Sequence, residues 1–273
     1  MKRSPRSLAI AGACFALAAL ALAGCSSGPI TPAASASGDV ALVHPGSLTV
    51  CTHLPYAPFQ SNNDKGETVG FDVDLMDLVA KKLGVKQAIV DTPFEGIKSG
   101  QDLSARKCDI AAAGMTITDA RKQVITFSAP YFDATQALLV APGSTLNSLA
   151  DLKGKKLGAQ SATTGLDYAK AHASDCGCTI VEYQDLASET QALTSGQIDA
   201  AINDLPVWTE AIKENPGKAK VSAQFNTGEQ YGFGMQLGNT ALKKVVDDVI
   251  AGAKADGAYD TLYKKWIGDV PKS

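Results

Sequence analysis

The stretch DIAAAGMTITDARKQV, residues 109–124, gathers several residue types that can do chemistry into one short span. Its small residues read as a strand that ends at Gly114, where glycine lets other backbone approach closely. Thr116 and Thr118 add hydroxyls, and Thr118 stands where it could cap a helix beginning at Asp119. Arg121 then falls in the first turn of that helix, where exposed backbone N–H groups create a positive field that disfavours a cation. Its planar fork suits bidentate recognition of a carboxylate. A surface ion pair with Asp119 or Glu95 would account for the same residue.

Two further segments carry polar groups at strand ends. In AQSATTGLDYAK a strand ends near Gln160 and a helix starts near Gly165, so Thr163 and Thr164 could offer hydroxyl and N–H groups to an anion or simply cap the helix. In DAAINDLPVW, Asp204 follows a strand and precedes Pro206, which suits an N-cap and equally suits a carboxylate awaiting an ammonium group. A fork for a carboxylate and a carboxylate for an amine together describe a zwitterion.

These residues need elements to position them, and periodicity supplies a coarse set. SLTVCTH, KQAIVDTP and CDIAAAG read as strands. FDVDLMDLVAKKLG reads as an amphipathic helix, with Leu75, Leu78, Val79 and Leu83 at helical spacing and Gly84 ending it; FEGIKSGQDLSARK is a second helical region. The pattern returns in KKLGAQ, LDYAKAHA, TIVEYQ, LASETQALTSGQ and IDAAIND. Alternation at these lengths means βαβ units and largely parallel sheets. Two such sets, separated by the apolar strand QALLVAPG, fit two lobes better than one sheet. One more strand, YGFGMQLG, and two amphipathic helices close the chain. Open parallel sheets place ligands at the carboxyl ends of their strands, where all three polar segments lie.

The amino end has a different character. Lys2, Arg3 and Arg6 precede the apolar run LAIAGACFALAALALAG, the pattern of a secretory signal over residues 1–24. Leu22, Ala23, Gly24 and Cys25 resemble the bacterial lipobox, which implies that Cys25 is lipidated and becomes the anchored first residue. Residues 25–45 are rich in Ser, Ala, Gly and Pro and read as a tether. Without the signal the chain keeps 22 basic against 28 acidic residues, a formal charge of −6. Such a balance, with no basic aromatic stripe, argues against a nucleic-acid partner. Cys51 and Cys108 sit in strands that could face one another. Cys176 and Cys178, in CGC, could form a tight bridge, stay as thiols or serve redox or metal chemistry, a structural role being favoured because no metal-site spacing surrounds them.

Together the segments resemble the polar amino-acid-binding members of family 3 of the bacterial ABC-transporter solute receptors. The likeness runs from about 48 to 268 and rests on YAPFQ, GFDVDLMDLVAKKLG, PFEGI, GMTITDARKQVITFSAPYF, DLKGKKLGAQSATTG and GAYDTLYKKWIG. It implies an α/β fold, periplasmic-binding-protein-like type II, with two lobes of mostly parallel sheets joined by two hinge crossings near 133–138 and 225–230. Lobe 1 would combine 46–134 with 230–273, and lobe 2 would cover 135–229. By the same resemblance Arg121, Thr116 and Thr164 hold a ligand carboxylate, the Gly114 backbone and Asp204 hold its amine, and Tyr56 and Phe94 enclose its side chain. Ala113 stands where some relatives carry serine, and His53 where some receptors for basic ligands carry an acid. The implied protein is a monomer without cofactor, metal or catalytic residues, anchored through Cys25 on the outer face of a bacterial cytoplasmic membrane. Its partners would be a free L-amino acid and the transmembrane subunits of a permease with their ATPase. A ligand-sensing lipoprotein and a dehydratase-like enzyme on the same fold are the alternatives.

Overall fold

The structure, a computed structural model, describes residues 40–269. Cys25 and the segments expected to be a signal and a tether, up to residue 39, lie outside the described residues. The remaining tether residues, 40–45, belong to the fold: Val40 and Leu42 pack on the core, and the Val43 N–H donates to Asp109 Oδ1 at 2.6 Å.

Two five-stranded sheets form the two lobes. The first has the order Lys86–Asp91, Ser47–Thr52, Ile110–Ala111, Gly234–Gln236, Ile125–Phe127. The second has the order Lys220–Tyr231, Phe132–Val140, Ala200–Asp204, Lys156–Gln160, Thr179–Tyr183. In each, three neighbouring strands are parallel, as strand–helix alternation requires. The other pairings are antiparallel, so both sheets are mixed. Connectivity explains this. Phe132–Val140 carries the chain out of the first lobe and Lys220–Tyr231 carries it back, so the two long strands lie side by side in opposite directions, with Tyr231 opposite Phe132 and Phe225 opposite Gln136.

The helix Phe71–Leu83 shows why the periodicity works: Phe71, Leu75, Met76, Val79 and Leu83 form its buried face. Asp72 and Asp74 lie in its first turn and Lys81 and Lys82 in its last, in keeping with the helix dipole. Asp74 Oδ2 accepts from Lys265 Nζ and Trp266 Nε1, both at 2.6 Å, which ties the C-terminal helix Ala258–Trp266 to this lobe. The helical region FEGIKSGQDLSARK comprises two short helices, Phe94–Lys98 and Gln101–Ser104, with Gly100 between them.

Aromatic rings fill the first lobe beneath the crossings. Tyr131 stacks on Phe233 with centroids 4.1 Å apart, and Phe71, Phe132 and Tyr259 meet edge to face. In the second lobe Leu138, Val140, Leu157, Leu166 and Ile202 form a separate apolar cluster. Cys51 and Cys108 are disulfide-bonded across the first lobe, with Cα atoms 5.6 Å apart. Closing that loop stabilises the fold by about 4 kcal/mol in the chain-entropy picture. Cys176 and Cys178 pair with each other.

Candidate functional site

A small cavity, with about 320 Å³ of atom-free space counting what opens to solvent, lies between the lobes. All seven residues that the resemblance assigns to the ligand line it. Tyr56, Phe94, Gly114, Thr116 and Arg121 come from the first lobe, and Thr164 and Asp204 from the second. His53, Gln60, Ala113, Gln160 and Thr163 complete the wall.

Arg121 sits on the helix Asp119–Lys122, which Thr118 caps by accepting from the Arg121 N–H at 3.2 Å. The arginine is only 4% exposed. It makes no ion pair with Asp119 or Glu95; Lys122 pairs with Asp119, while Glu95 is largely exposed and faces Lys98. Instead Arg121 Nη1 donates to the Thr116 carbonyl at 2.7 Å and Nη2 to the Ala162 carbonyl, on the other lobe, at 2.9 Å. Ala162 meets it with left-handed backbone, φ 69°, a conformation that costs an L-residue roughly 1–2 kcal/mol. The guanidinium also lies 5.5 Å from the centroid of the Phe94 ring. Burial pushes its pKa down, and the charges of Asp167, Asp204 and Glu229 pull it back up. An arginine stays cationic through such a shift.

Asp204 occupies the N-cap position of the helix Leu205–Glu214, but its side chain caps nothing. The carboxylate turns into the cavity, also 4% exposed. Oδ2 accepts from the Tyr56 hydroxyl at 3.0 Å and from the Tyr231 hydroxyl, and Oδ1 accepts from the Gln136 amide. Burial raises its pKa to about 6; Glu229 adds to the rise, and the hydroxyl and amide donors oppose it. Gln136 also reaches Thr164 Oγ1 at 3.2 Å and Glu229 Oε2 at 2.8 Å, which links both crossing strands to the cavity wall.

The other wall residues are held just as specifically. Gly114 adopts φ 54°, and a Cβ there would stand 2.8 Å from the Tyr56 ring, so only glycine fits without displacing that ring. Its N–H donates to buried Asp72 Oδ2 at 2.9 Å, while Tyr131 donates to Oδ1. Burial lifts the pKa of Asp72 to about 7. Thr116 and Thr164 hydroxyls face each other across the lobes at 3.3 Å. Thr163, not Thr164, caps the helix Thr164–Ala171, accepting from the Leu166 N–H.

Several residues at the site carry little sequence signal. Gln136 is fully buried where its strand turns from the polar Asp133 and Thr135 to the apolar run ALLV, and that boundary could have marked it. Tyr231 has no such mark. Asn203 Oδ1 lies 2.9 Å from the Tyr56 hydroxyl, and its amide reaches buried Glu189 at 3.3 Å; one polar residue before Asp204 gives no warning of that network.

Comparison with known proteins agrees with this geometry. Residues 48–269 match the family described as bacterial extracellular solute-binding proteins, family 3. A histidine-binding periplasmic protein of Salmonella typhimurium is 31% identical over 231 residues, covering 82% of this chain and 88% of its own. Among solved structures, an ancestral arginine-binding protein bound to arginine superposes with a TM-score of 0.78 at 39% identity, over 82% of this chain and 99% of the other. An ancestral amino acid-binding protein, a precursor of cyclohexadienyl dehydratase, gives 0.76 at 35% identity, over 81% and 96%. With its model spanning both lobes and the cavity between them, the chain belongs to the bacterial extracellular solute-binding proteins, family 3.

Proposed function

We propose that the protein is an extracytoplasmic receptor that closes its two lobes around one free L-amino acid and delivers it to an ABC permease. One observation carries this reading. A single cavity brings a buried guanidinium from the first lobe and a buried carboxylate from the second into one enclosure, opposite in sign to the two charged groups of an α-amino acid. In this reading Arg121, Thr116 and Thr164 hold the carboxylate, and Asp204 with the Gly114 backbone holds the ammonium. Tyr56 and Phe94 flank the side chain. A ligand gripped from both lobes favours the closed form by its difference in affinity for closed and open states.

The same pairing supports a receptor over a catalyst, because both charged groups are engaged in holding the zwitterion. A thermal-shift screen of the twenty amino acids, followed by calorimetry on the best, tests the reading. Absence of any shift or heat would overturn it.

Membrane attachment through a lipidated Cys25, removal of residues 1–24 and a monomeric receptor belong to the same proposal. The sequence LAGC after an apolar run supports the anchor. Cys25→Ser should leave the protein unlipidated and shift it out of the membrane fraction; unchanged lipid labelling and fractionation would refute the anchor.

A further inference from the structure

The wall of the cavity formed by residues 53–60 holds two polar atoms with no partner. His53 Nε2 and Gln60 Oε1 are both shielded from solvent and hydrogen-bonded to nothing among the described residues. Such atoms are uncommon in folded proteins, since an unpaired buried acceptor forfeits its hydration without return.

Main-chain carbonyls fix what each of them can offer. His53 Nδ1 lies 3.0 Å from the Thr92 carbonyl oxygen. A carbonyl only accepts, so Nδ1 carries the proton and, in the neutral ring, Nε2 presents a lone pair. Gln60 Nε2 donates to the His53 carbonyl at 3.2 Å. That contact admits only the NH₂ end of the amide, which settles its orientation and leaves Oε1 as an acceptor. Gln60 is 1% exposed and cannot turn to water. The Tyr56 N–H donates to the Gln60 carbonyl at 2.7 Å, which pins the loop that carries all three residues.

The only carboxylate lining the cavity among the described residues is Asp204, which the amino-acid reading assigns to the ligand ammonium. The acceptors of His53 and Gln60 are therefore left for the far end of the ligand. We infer that His53 Nε2 and Gln60 Oε1 form a specificity subsite that selects amino acids whose side chains end in N–H donors, such as an amide or a guanidinium, and rejects side-chain carboxylates. This rests on the proposed amino-acid reading and names the class of side chain within it. An amide or guanidinium satisfies the acceptors, with Phe94 and Tyr56 flanking its plane. A carboxylate would set its oxygens against two acceptors and leave all of them unsatisfied.

Glutamine and glutamate differ only in that terminal group. Calorimetry of the purified protein in an alkaline buffer, with glutamine, arginine and glutamate as probes, should show the better of the first two binding about a hundredfold more tightly than glutamate, each satisfied acceptor being worth about tenfold. His53→Phe and Gln60→Met each remove one acceptor while keeping most of the volume. Each should cut that ratio by about tenfold, read within one variant so that a change in overall affinity cancels. Circular dichroism confirms folding, and either variant alone suffices if the other fails to fold. A wild-type preference for glutamate, or an unchanged ratio in the folded variants, overturns the subsite while leaving the amino-acid receptor intact. If the wild type binds none of the twenty amino acids, the receptor reading fails and the subsite falls with it.

Discussion

Arg121 on the first lobe and Asp204 on the second are buried to the same degree, yet burial affects them differently. The guanidinium is held by two carbonyls, one from each lobe, and remains a cation. The carboxylate is held by two phenols and an amide, and burial moves its titration to about 6. One lobe thus brings a fixed charge and the other a charge that pH can remove. A receptor built this way anchors its ligand on the first lobe at any ordinary pH and makes the grip of the second lobe conditional.

The largest expected effect comes from breaking the fixed half. Arg121→Ala should cost about 2–5 kcal/mol of amino-acid binding, the usual loss when one partner of a buried charged hydrogen bond is removed. Arg121→Lys should lose much of the same affinity, because an ammonium cannot reproduce the planar fork that spans Thr116 and Ala162. Isothermal titration with the best ligand and its decarboxylated amine gives the decisive reading. Wild type should strongly prefer the amino acid and Arg121→Ala should lose most of that preference; equal discrimination by both proteins would make Arg121 an inter-lobe brace and nothing more.

The conditional half should give a smaller loss. Asp204→Ala should weaken binding at least about tenfold, less than Arg121→Ala because the Gly114 backbone still receives the ammonium. Since the Asp204 side chain makes no cap, helix loss does not complicate the result. A mutant that binds normally and only melts earlier would show the carboxylate to be structural.

pH sharpens the same contrast. The ligand ammonium takes Asp204 in its ionised form, so affinity should rise with pH up to about 6 and level off above it, by at most about tenfold per pH unit. Asp204→Asn should flatten that curve, whereas Arg121→Lys should keep its shape. Stability without ligand should run the other way. A buried carboxylate with a raised pKa binds a proton more readily folded than unfolded. Its contribution is therefore present below the unfolded value and lost as pH rises through about 6 for Asp204 and about 7 for Asp72. Melting scans across this range should show the unliganded protein less stable on the alkaline side, and a flat profile would contradict the burial of both groups.

What the sequence revealed of this arrangement follows the physics of each part. Helices with an uninterrupted apolar face, such as Phe71–Leu83, were legible, and so were parallel strands flanked by helices. The region after Phe94 was legible as helical but not as two helices, because Gly100 splits it into pieces too short to show a period of their own. The strand Lys220–Tyr231 also escaped periodicity, since irregularities between Val221 and Ala223 and between Phe225 and Glu229 break its alternation; only family resemblance placed a crossing there. Arg121, Thr116, Thr164 and Asp204 stood out because polar groups at strand ends are conspicuous. Gln136, Tyr231 and Glu229, which surround Asp204, come together only when the two crossing strands pair, and no local pattern encodes that meeting.

The smallest expected effect distinguishes two adjacent threonines. Thr163 caps its helix through Leu166, whereas Thr164 faces Thr116 across the lobes. Thr163→Val should therefore lower the melting temperature, with a cap worth about 0.5–2 kcal/mol, and leave the cavity chemistry largely in place. Thr164→Val keeps the side-chain shape and the cap but removes a hydroxyl that lies near both Thr116 and Gln136. It should cost about 0.5–1.5 kcal/mol of binding and little stability. Because Thr116 and Thr164 belong to different lobes, a double-mutant cycle with Thr116→Val measures whether they act together on one ligand group. Coupling seen in ligand affinity and absent from thermal unfolding would mean that the two hydroxyls meet through the ligand in the closed form. Strictly additive losses would mean that each lobe holds the ligand independently, and the contrast between a fixed and a conditional half would then rest on Arg121 and Asp204 alone.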